Sequence, residues 1–472
     1  MADLAEEEEE HQARLPINVP AELPYVVHLS LSDPSPLSRV WQSFSLSRRV
    51  LLHQDLFHAP KKVTEVVQYT MNSNTMATSE KKYAYTTLVT RGSYLAGVII
   101  LAYTLKKQGS KYPLLVFYTP GLQHAAVKAL ELEAVKLNLN LKPCEMLQPR
   151  SEMKITLIAE RFKDTWTKLR VFEVFDYDAV CYLDADMAIF KNMDSVFSRA
   201  DTLPTDWIAA NHACVCNTDK DKWAPEEWNV DNCAYTPLSH PTALSHPTQV
   251  TPDSRPTHHL LNSGMFLYHP SKNLWDDMLH FFNTTDKLST YNFPDQDFLA
   301  DFFHNRWASL GWQYNALKTM RYQHPNMWRD DEVVCLHYIV EKPWVARVSA
   351  DGTAGFKGKD GVTHGWWWKQ HAAWVEDREA ENATEVLGLM EQYVAKADGS
   401  EEDDPDMRAI GSKVQAFAGN RPGKENAAPR AKDGEAEEGG EKRVSEPFRK
   451  KVLGERGHGP VVHSRGNDET PS

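Results

Sequence analysis

Residues 179–187 read Ala-Val-Cys-Tyr-Leu-Asp-Ala-Asp-Met. Val180 to Leu183, mostly apolar, run directly into two carboxylates, Asp184 and Asp186, separated by one small residue. An apolar run without alternation is the pattern of a strand buried on both faces, as in parallel sheets. In open α/β sheets, ligands sit in the crevice beyond the carboxyl ends of the strands. Two acids there supply hard oxygen ligands suited to Mn²⁺ or Mg²⁺. The same Asp-x-Asp also fits a solvated turn closing a strand, so the acids alone do not decide between turn and metal site.

The flanking sequence supplies the context. Residues 83–90 are β-branched and aromatic and predict a strand. After Gly92-Ser93, Leu95, Val98, Ile99, Ala102 and Leu105 fall at helical spacing and predict a helix over residues 94–107. A second strand is expected at 114–118, closed by Thr119-Pro120-Gly121, and a second helix at 124–137. Leu169, Phe172 and Phe175 give residues 166–175 an apolar helical face feeding the central strand. Further strands are expected at 207–210, 265–268 and 333–338, with helices at 274–282 and 295–303. This alternation predicts an α/β fold with a doubly wound, mainly parallel sheet. Phosphate groups favour the loops and helix N-termini along one edge of such a sheet. Residues 217–259, polar and rich in Pro and Thr, predict an insertion or lid. A helix from about residue 371 to 394, preceded by Gly365-Trp366-Trp367-Trp368, is expected to pack back onto the core.

The chain has 472 residues, 42% of them hydrophobic, and a formal net charge of −13. No extended basic stripe interrupts the folded-looking region, which argues against a nucleic-acid partner. Six cysteines in a chain of this length do not make a disulfide scaffold. The acidic start, Glu6 to Glu10, is the opposite of a secretory signal, and no apolar run approaches the about 18 residues of a membrane span. A cytoplasmic protein without membrane attachment is expected, leaving the glycosylation patterns at Asn283 and Asn382 unused. Prolines punctuate a lead-in over residues 1–80 that lacks strong periodicity, and a translation start at Met76 is one reading of it. Beyond residue 396 the Glu/Asp/Gly/Pro/Lys composition predicts a disordered tail, in which Arg449-Lys450-Lys451 reads as a solvated charge cluster.

Two chemistries compete for the Asp-x-Asp. In haloacid-dehalogenase-type phosphatases the first Asp is a nucleophile after the first strand, and Asp330-Asp331 resembles the later acidic pair. Here Asp184 instead follows at least two βα units, and Met187-Ala188 departs from that pattern. The alternative is a nucleotide-sugar transferase whose carboxylates hold a divalent ion on a diphosphate. His337, at a predicted strand end, and Lys342, in Lys-Pro-Trp, then supply a further ligand and a phosphate-binding cation.

Taken together, Tyr83-Ala-Tyr-Thr-Thr-Leu-Val-Thr90, Lys168-Leu169, Tyr182-Leu-Asp-Ala-Asp186, Asn262-Ser-Gly264, Asp295-Gln296 and the 337–344 stretch resemble glycosyltransferase family eight. This is the retaining GT-A family that includes glycogenin and galactinol synthase. The likeness covers about residues 83–345, in the right order. Arg321 to Pro325 and the cysteine-bearing stretch after Ala210 look nearer galactinol synthase. The resemblance implies that Asp184, Asp186 and His337 bind Mn²⁺, with Mg²⁺ as the alternative. It implies that Lys342 and Lys168 contact the phosphates or sugar of a UDP-sugar. Leu88, Thr90 and Tyr94 would form the nucleoside pocket, and Asn262, Gly264, Asp295 and Gln296 would face the donor sugar. Asp295, Gln296 and Lys168 are the implied catalytic group, with Asp295 the carboxylate nearest the anomeric carbon.

The expected organisation is an N-terminal extension at 1–80, a GT-A catalytic domain at 81–345, a Trp-rich segment and helix at 346–396, and a tail at 397–472. The expected activity is hexose transfer to a polyol, glycan or protein acceptor, with a homodimer left open. A catalytically weak nucleotide-sugar-binding scaffold is the alternative. Two departures from the family pattern stand out: Ile339-Val-Glu341 precedes Lys-Pro-Trp where a Gly is usual, and Arg91 replaces a small polar residue. His212, Cys214, Cys216 and Cys233 form a second metal-ligating candidate, but Cys-x-Cys falls short of the usual Cys-x₂₋₄-Cys zinc spacing.

Overall fold

The computed structural model describes residues 81–150, 160–221, 224–397 and Met407. The extension at 1–80 and the tail beyond residue 397, Met407 aside, lie outside the described residues. Among the described residues there are ten strands: β1 (Tyr83–Val89), β2 (Leu114–Tyr118), β3 (Leu139–Pro143), β4 (Ala179–Leu183), β5 (Met187–Ile189), β6 (Ile208–His212), β7 (Leu261–Tyr268), β8 (Trp307–Ser309), β9 (Ala316–Leu317) and β10 (Cys335–His337).

Seven of them form one sheet in the order β3-β2-β1-β4-β7-β6-β8, and β5-β10-β9 form a small second sheet. In the large sheet β7 alone runs against its neighbours β4 and β6, while the remaining pairs are parallel. The expected α/β class with a mixed, mainly parallel sheet is therefore the one observed. The organising strand β4 is buried over its whole length. Its residues alternate between two cores: Ala179, Cys181 and Leu183 enter one, Val180 and Tyr182 the other.

Helices cover both faces. The first core takes in α1 (Leu95–Lys107) and α2 (His124–Glu133), and the second α3 (Lys272–Thr284) and α4 (Pro294–Phe302). Helix α1 is buried from Leu95 to Leu105, which explains its near-continuous apolar sequence. Gly97 is needed there, because a Cβ would come within 2.3 Å of the Ala185 carbonyl oxygen and 2.6 Å of the Trp344 ring.

Three expectations are corrected. The helix expected at 166–175 is a 3₁₀ segment, Glu160–Glu173. Three residues per turn stack Trp166, Leu169 and Phe172 in one line, and all three are buried in the second core. The second helix stops at Glu133, short of residue 137, and the chain then forms β3 at the sheet edge. The single helix expected from 371 to 394 is two, α6 (Gly361–Ala380) and α7 (Thr384–Met390), parted where Asn382 takes the left-handed conformation (φ 55°). The short helix α5 (Met320–Gln323) follows β9. No helix among the described residues is long and apolar enough to cross a membrane.

Candidate active site

β4 ends at Leu183, and the next peptide is held by the Asp184 N–H donating to the Gly264 carbonyl (2.8 Å). Two residues later the Asp186 carbonyl accepts from the Tyr338 N–H (2.9 Å). The chain therefore crosses between the two sheets at Asp184-Ala185-Asp186. Pairing of β10 with β5 sets His337 opposite Met187, one residue past Asp186. His337 Nε2 lies 3.2 Å from Asp186 Oδ1 and 3.8 Å from Asp184 Oδ2. Ligand atoms of the three residues lie within 4.8 Å of one another, so the sequence-predicted trio is brought together as one potential metal site.

The orientation of the His337 ring follows from a chain of hydrogen bonds. The Gly264 N–H can only donate, so Asn262 Oδ1 accepts it (3.1 Å). The same oxygen accepts Asn315 Nδ2 (2.8 Å), which turns Asn315 Oδ1 toward His337 Nδ1 (2.9 Å). Nδ1 is thus the protonated nitrogen, and Nε2 is the atom aimed at the carboxylates. Gly264 also makes room for the ring: a Cβ there would sit 2.2 Å from His337 Cε1. The irregular register between Ala210 and Asn211 on β6 lets β7 bulge at this point, which carries Asn262, Ser263 and Gly264 toward the acids.

Two buried lysines flank the acids. Lys342 Nζ pairs with Asp186 Oδ2 and donates to the Tyr338 carbonyl (3.0 Å). Lys168 Nζ bridges Asp184 Oδ1 (3.0 Å) and Asp295 Oδ2 (2.5 Å). Burial opposes the charge on Lys168, but the Asp184 and Asp295 carboxylates hold its ammonium well above the ordinary lysine range. Burial likewise opposes ionisation of Asp186, yet the Lys342 ammonium holds its carboxyl well below the usual carboxylate range.

Asp295 stands in the first turn of α4, behind Pro294, and accepts Ser263 Oγ (2.8 Å) as well as Lys168. Gln296 Oε1 accepts Asn262 Nδ2 (3.3 Å), so the residues expected to face a donor sugar are linked to the His337 chain. The Tyr94 ring meets Trp344 edge-on, with centroids 5.9 Å apart, and Lys342 Nζ lies 5.9 Å from its centroid. Leu88 packs against the second core, the one that takes Tyr182 of β4, and Thr90 is partly exposed beyond β1. In the parallel β1–β4 pair Thr86 stands beside Tyr182, so both residues lie toward the sheet edge at which Asp184 emerges. Arg91 turns to Asp164 (Nε 3.0 Å).

Three residues escaped the reading of the sequence. Asn315 fixes His337, Ser263 fixes Asp295, and the Tyr182 hydroxyl donates to Asp184 Oδ1 (2.7 Å). Only Tyr182 carried a signal: residues i and i+2 of a strand share a face, so Tyr182 and Asp184 were due to meet. Behind the Lys342 loop lies another unanticipated group. Lys318 Nζ donates to the Glu341 carbonyl (2.8 Å), Asp360 Oδ2 (2.6 Å) and His364 Nε2 (3.0 Å), spending all three ammonium protons in a buried site.

Chemically, the site combines one nitrogen and two carboxylate ligands with cations on either side and a further carboxylate across a lysine. That is a geometry for holding a divalent cation and a diphosphate next to an acid. The family model described as Glycosyl transferase family 8 matches residues 85–347. Galactinol synthase 2 of Arabidopsis thaliana is 29% identical over 274 residues, covering 57% of this chain and 75% of that protein. Galactinol synthase 2 of Solanum lycopersicum is 29% identical over 273 residues, covering 57% and 74%. A crystal structure of the galactosyltransferase LgtC with donor and acceptor sugar analogs aligns at TM-score 0.40 and 16% identity, covering 60% of this chain and 94% of that one.

Proposed function

The chain belongs to glycosyl transferase family 8, and on that premise we propose that it moves a hexose, galactose or glucose, from a UDP-sugar to an acceptor with retention. The acceptor is a polyol, glycan or protein, and the likeness to galactinol synthases favours a polyol. Residues 81–345 form the catalytic unit, and the protein works in the cytoplasm.

The observation that carries this reading is the convergence of Asp184, Asp186 and His337 between two buried lysines. Their mixed oxygen and nitrogen set fits Mn²⁺ better than the all-oxygen octahedron that Mg²⁺ demands. Bound there, the ion would supply Lewis acidity that neutralises the departing diphosphate. The protein's own residues do the rest. Lys342 contacts the diphosphate from the Tyr94 side, where the nucleoside stacks. Asn262 and Gln296 orient the donor sugar. Lys168 holds Asp295 in place, so that this carboxylate faces the anomeric carbon and stabilises the cationic centre that develops as the glycosidic bond breaks. No general acid is needed, because a diphosphate is already a good leaving group.

The test is release of UDP from a panel of UDP-sugars with inositol and other polyols, with and without Mn²⁺, alongside Asp186→Ala. Turnover with one donor, abolished by the substitution and by chelation, is expected. Tight UDP binding with no turnover on any donor would favour a nucleotide-sugar-binding scaffold, and full activity of Asp186→Ala would refute the metal assignment.

A further inference from the structure

A second cluster of metal-ligating side chains lies outside the active site. Cys214 and Cys216 follow β6, Cys233 lies within the 217–259 insertion, and His324 caps the end of α5. Their ligand atoms all fall within 4.8 Å of one another. His324 Nε2 is 3.4 Å from Cys214 Sγ, 3.2 Å from Cys216 Sγ and 3.6 Å from Cys233 Sγ, and the Cys214 and Cys233 sulfurs are 3.9 Å apart. We propose that Cys214, Cys216, Cys233 and His324 bind a structural Zn²⁺ ion that fastens the 217–259 insertion to the end of α5 beside the large sheet.

The distances suit that ion. Tetrahedral zinc, with Zn–S of about 2.3 Å and Zn–N of about 2.0 Å, separates its ligand atoms by about 3.5–3.8 Å. The cluster straddles that range. Three sulfurs around one imidazole nitrogen is a soft, closed donor set, the composition of structural zinc rather than of Mn²⁺ or Mg²⁺. Cys216, Cys233 and His324 are each at most 5% exposed. A disulfide explains the group less well: it would use two sulfurs and leave a third, with the imidazole, converging on nothing. All six cysteines are free thiols.

The Cys-x-Cys spacing that argued against zinc presumes ligands paired on one knuckle. Here the ligands come from three separate segments, so short-range spacing carries little information. The fourth ligand is also not the histidine that sequence proximity suggests. His212 Nε2 is bound to the Thr248 carbonyl (2.7 Å), and its ring packs on Trp307. His324, more than one hundred residues from Cys214, takes the place.

The full-length protein, purified in reductant without added metal, is to be analysed for zinc by mass spectrometry. One zinc per chain is expected, surviving dialysis against EDTA and unaffected by Asp186→Ala. A thiol-binding mercurial should release one equivalent to a chromogenic chelator. Protein grown with Co²⁺ should show sulfur-to-cobalt charge transfer and the intense visible bands of tetrahedral cobalt. Cys216→Ser and His324→Ala should lose the zinc, whereas Cys144→Ser should keep it. A folded wild-type protein without zinc, a Cys214–Cys233 disulfide in its intact mass, or full zinc content in folded Cys216→Ser and His324→Ala overturns the proposal. If those variants do not fold, the wild-type zinc count and the cobalt spectrum decide.

Discussion

Asn315 is the residue through which His337 is aimed, and its removal separates aiming from ligation. Asn315→Ala leaves all three proposed ligands in place but frees the ring and its tautomer, and loss of such an orienting partner is expected to lower metal affinity by about 10–100-fold. Calorimetric titration with Mn²⁺ is the measurement, and unchanged affinity would count against the orienting role. Val340 poses a different question. It adopts φ 66°, a left-handed conformation that is costly for a β-branched side chain, in the segment where the family resemblance leads us to expect glycine. The backbone takes this conformation without the residue that makes it easy. Val340→Gly is therefore expected to raise stability by about 1 kcal/mol, seen as a rise of about 1–2 °C in Tm. A fall in Tm would show that the valine side chain contributes more than its backbone costs. At this scale the acids were legible because the strand run and both carboxylates are contiguous. Asn315 was not, since its role exists only through a contact made 22 residues along the chain with His337.

Among the elements, α6 is held to the first core by an ion pair almost out of reach of water. Arg378 Nε and Nη2 each lie 2.6 Å from a Glu133 carboxylate oxygen on α2, Glu133 is 0% and Arg378 4% exposed, and Tyr103 on α1 donates to Asp377 (2.7 Å). Breaking such a pair from one side strands the other charge. Arg378→Met should cost about 3–5 kcal/mol in urea unfolding, and adding Glu133→Leu should recover much of that loss. A cost under 1 kcal/mol for the single variant would mean that Glu133 finds water. The same helix supplies His364, and Asp360 immediately precedes it, so Lys318 ties α6 to the Lys342 loop through the Glu341 carbonyl. Long amphipathic elements such as α3 and strands such as β1 could be read from periodicity. β8 and β9, at three and two residues, are too short to show a period. The 3₁₀ segment repeats its apolar residues every three positions, which resembles α-helical spacing until the exact pitch is seen.

For the molecule as a whole, buried imidazoles set an acid limit, and two of them stand on α6. Burial, reinforced by Lys318, pushes His364 down to about 2, with Lys342 and Asp360 also near it. Burial and Arg347 push His371, set among Trp367, Trp368 and Trp374, down to about 4. Both folded values lie below the ordinary histidine value, so the unfolded chain takes up these protons first. Their contribution is complete above about pH 6.5 and is lost as pH falls toward the folded values, by about 1.4 kcal/mol per pH unit for each imidazole. Urea midpoints at pH 7, 6 and 5 should fall accordingly. His371→Gln should flatten the dependence by one proton, and an unaltered slope would contradict the burial argument.

The lysines have a consequence for how the site fills. Lys342 and Lys168 already pair with Asp186, Asp184 and Asp295 internally, so a cation arriving alone competes with ammonium groups that have nowhere better to go. A diphosphate arriving alone must draw those ammonium groups off carboxylates left unpaired. Each guest removes the obstacle to the other. On the proposed function, metal and nucleotide are thus thermodynamically linked, and the factor by which Mn²⁺ tightens UDP must equal the factor by which UDP tightens Mn²⁺. Such a site would behave as an AND gate.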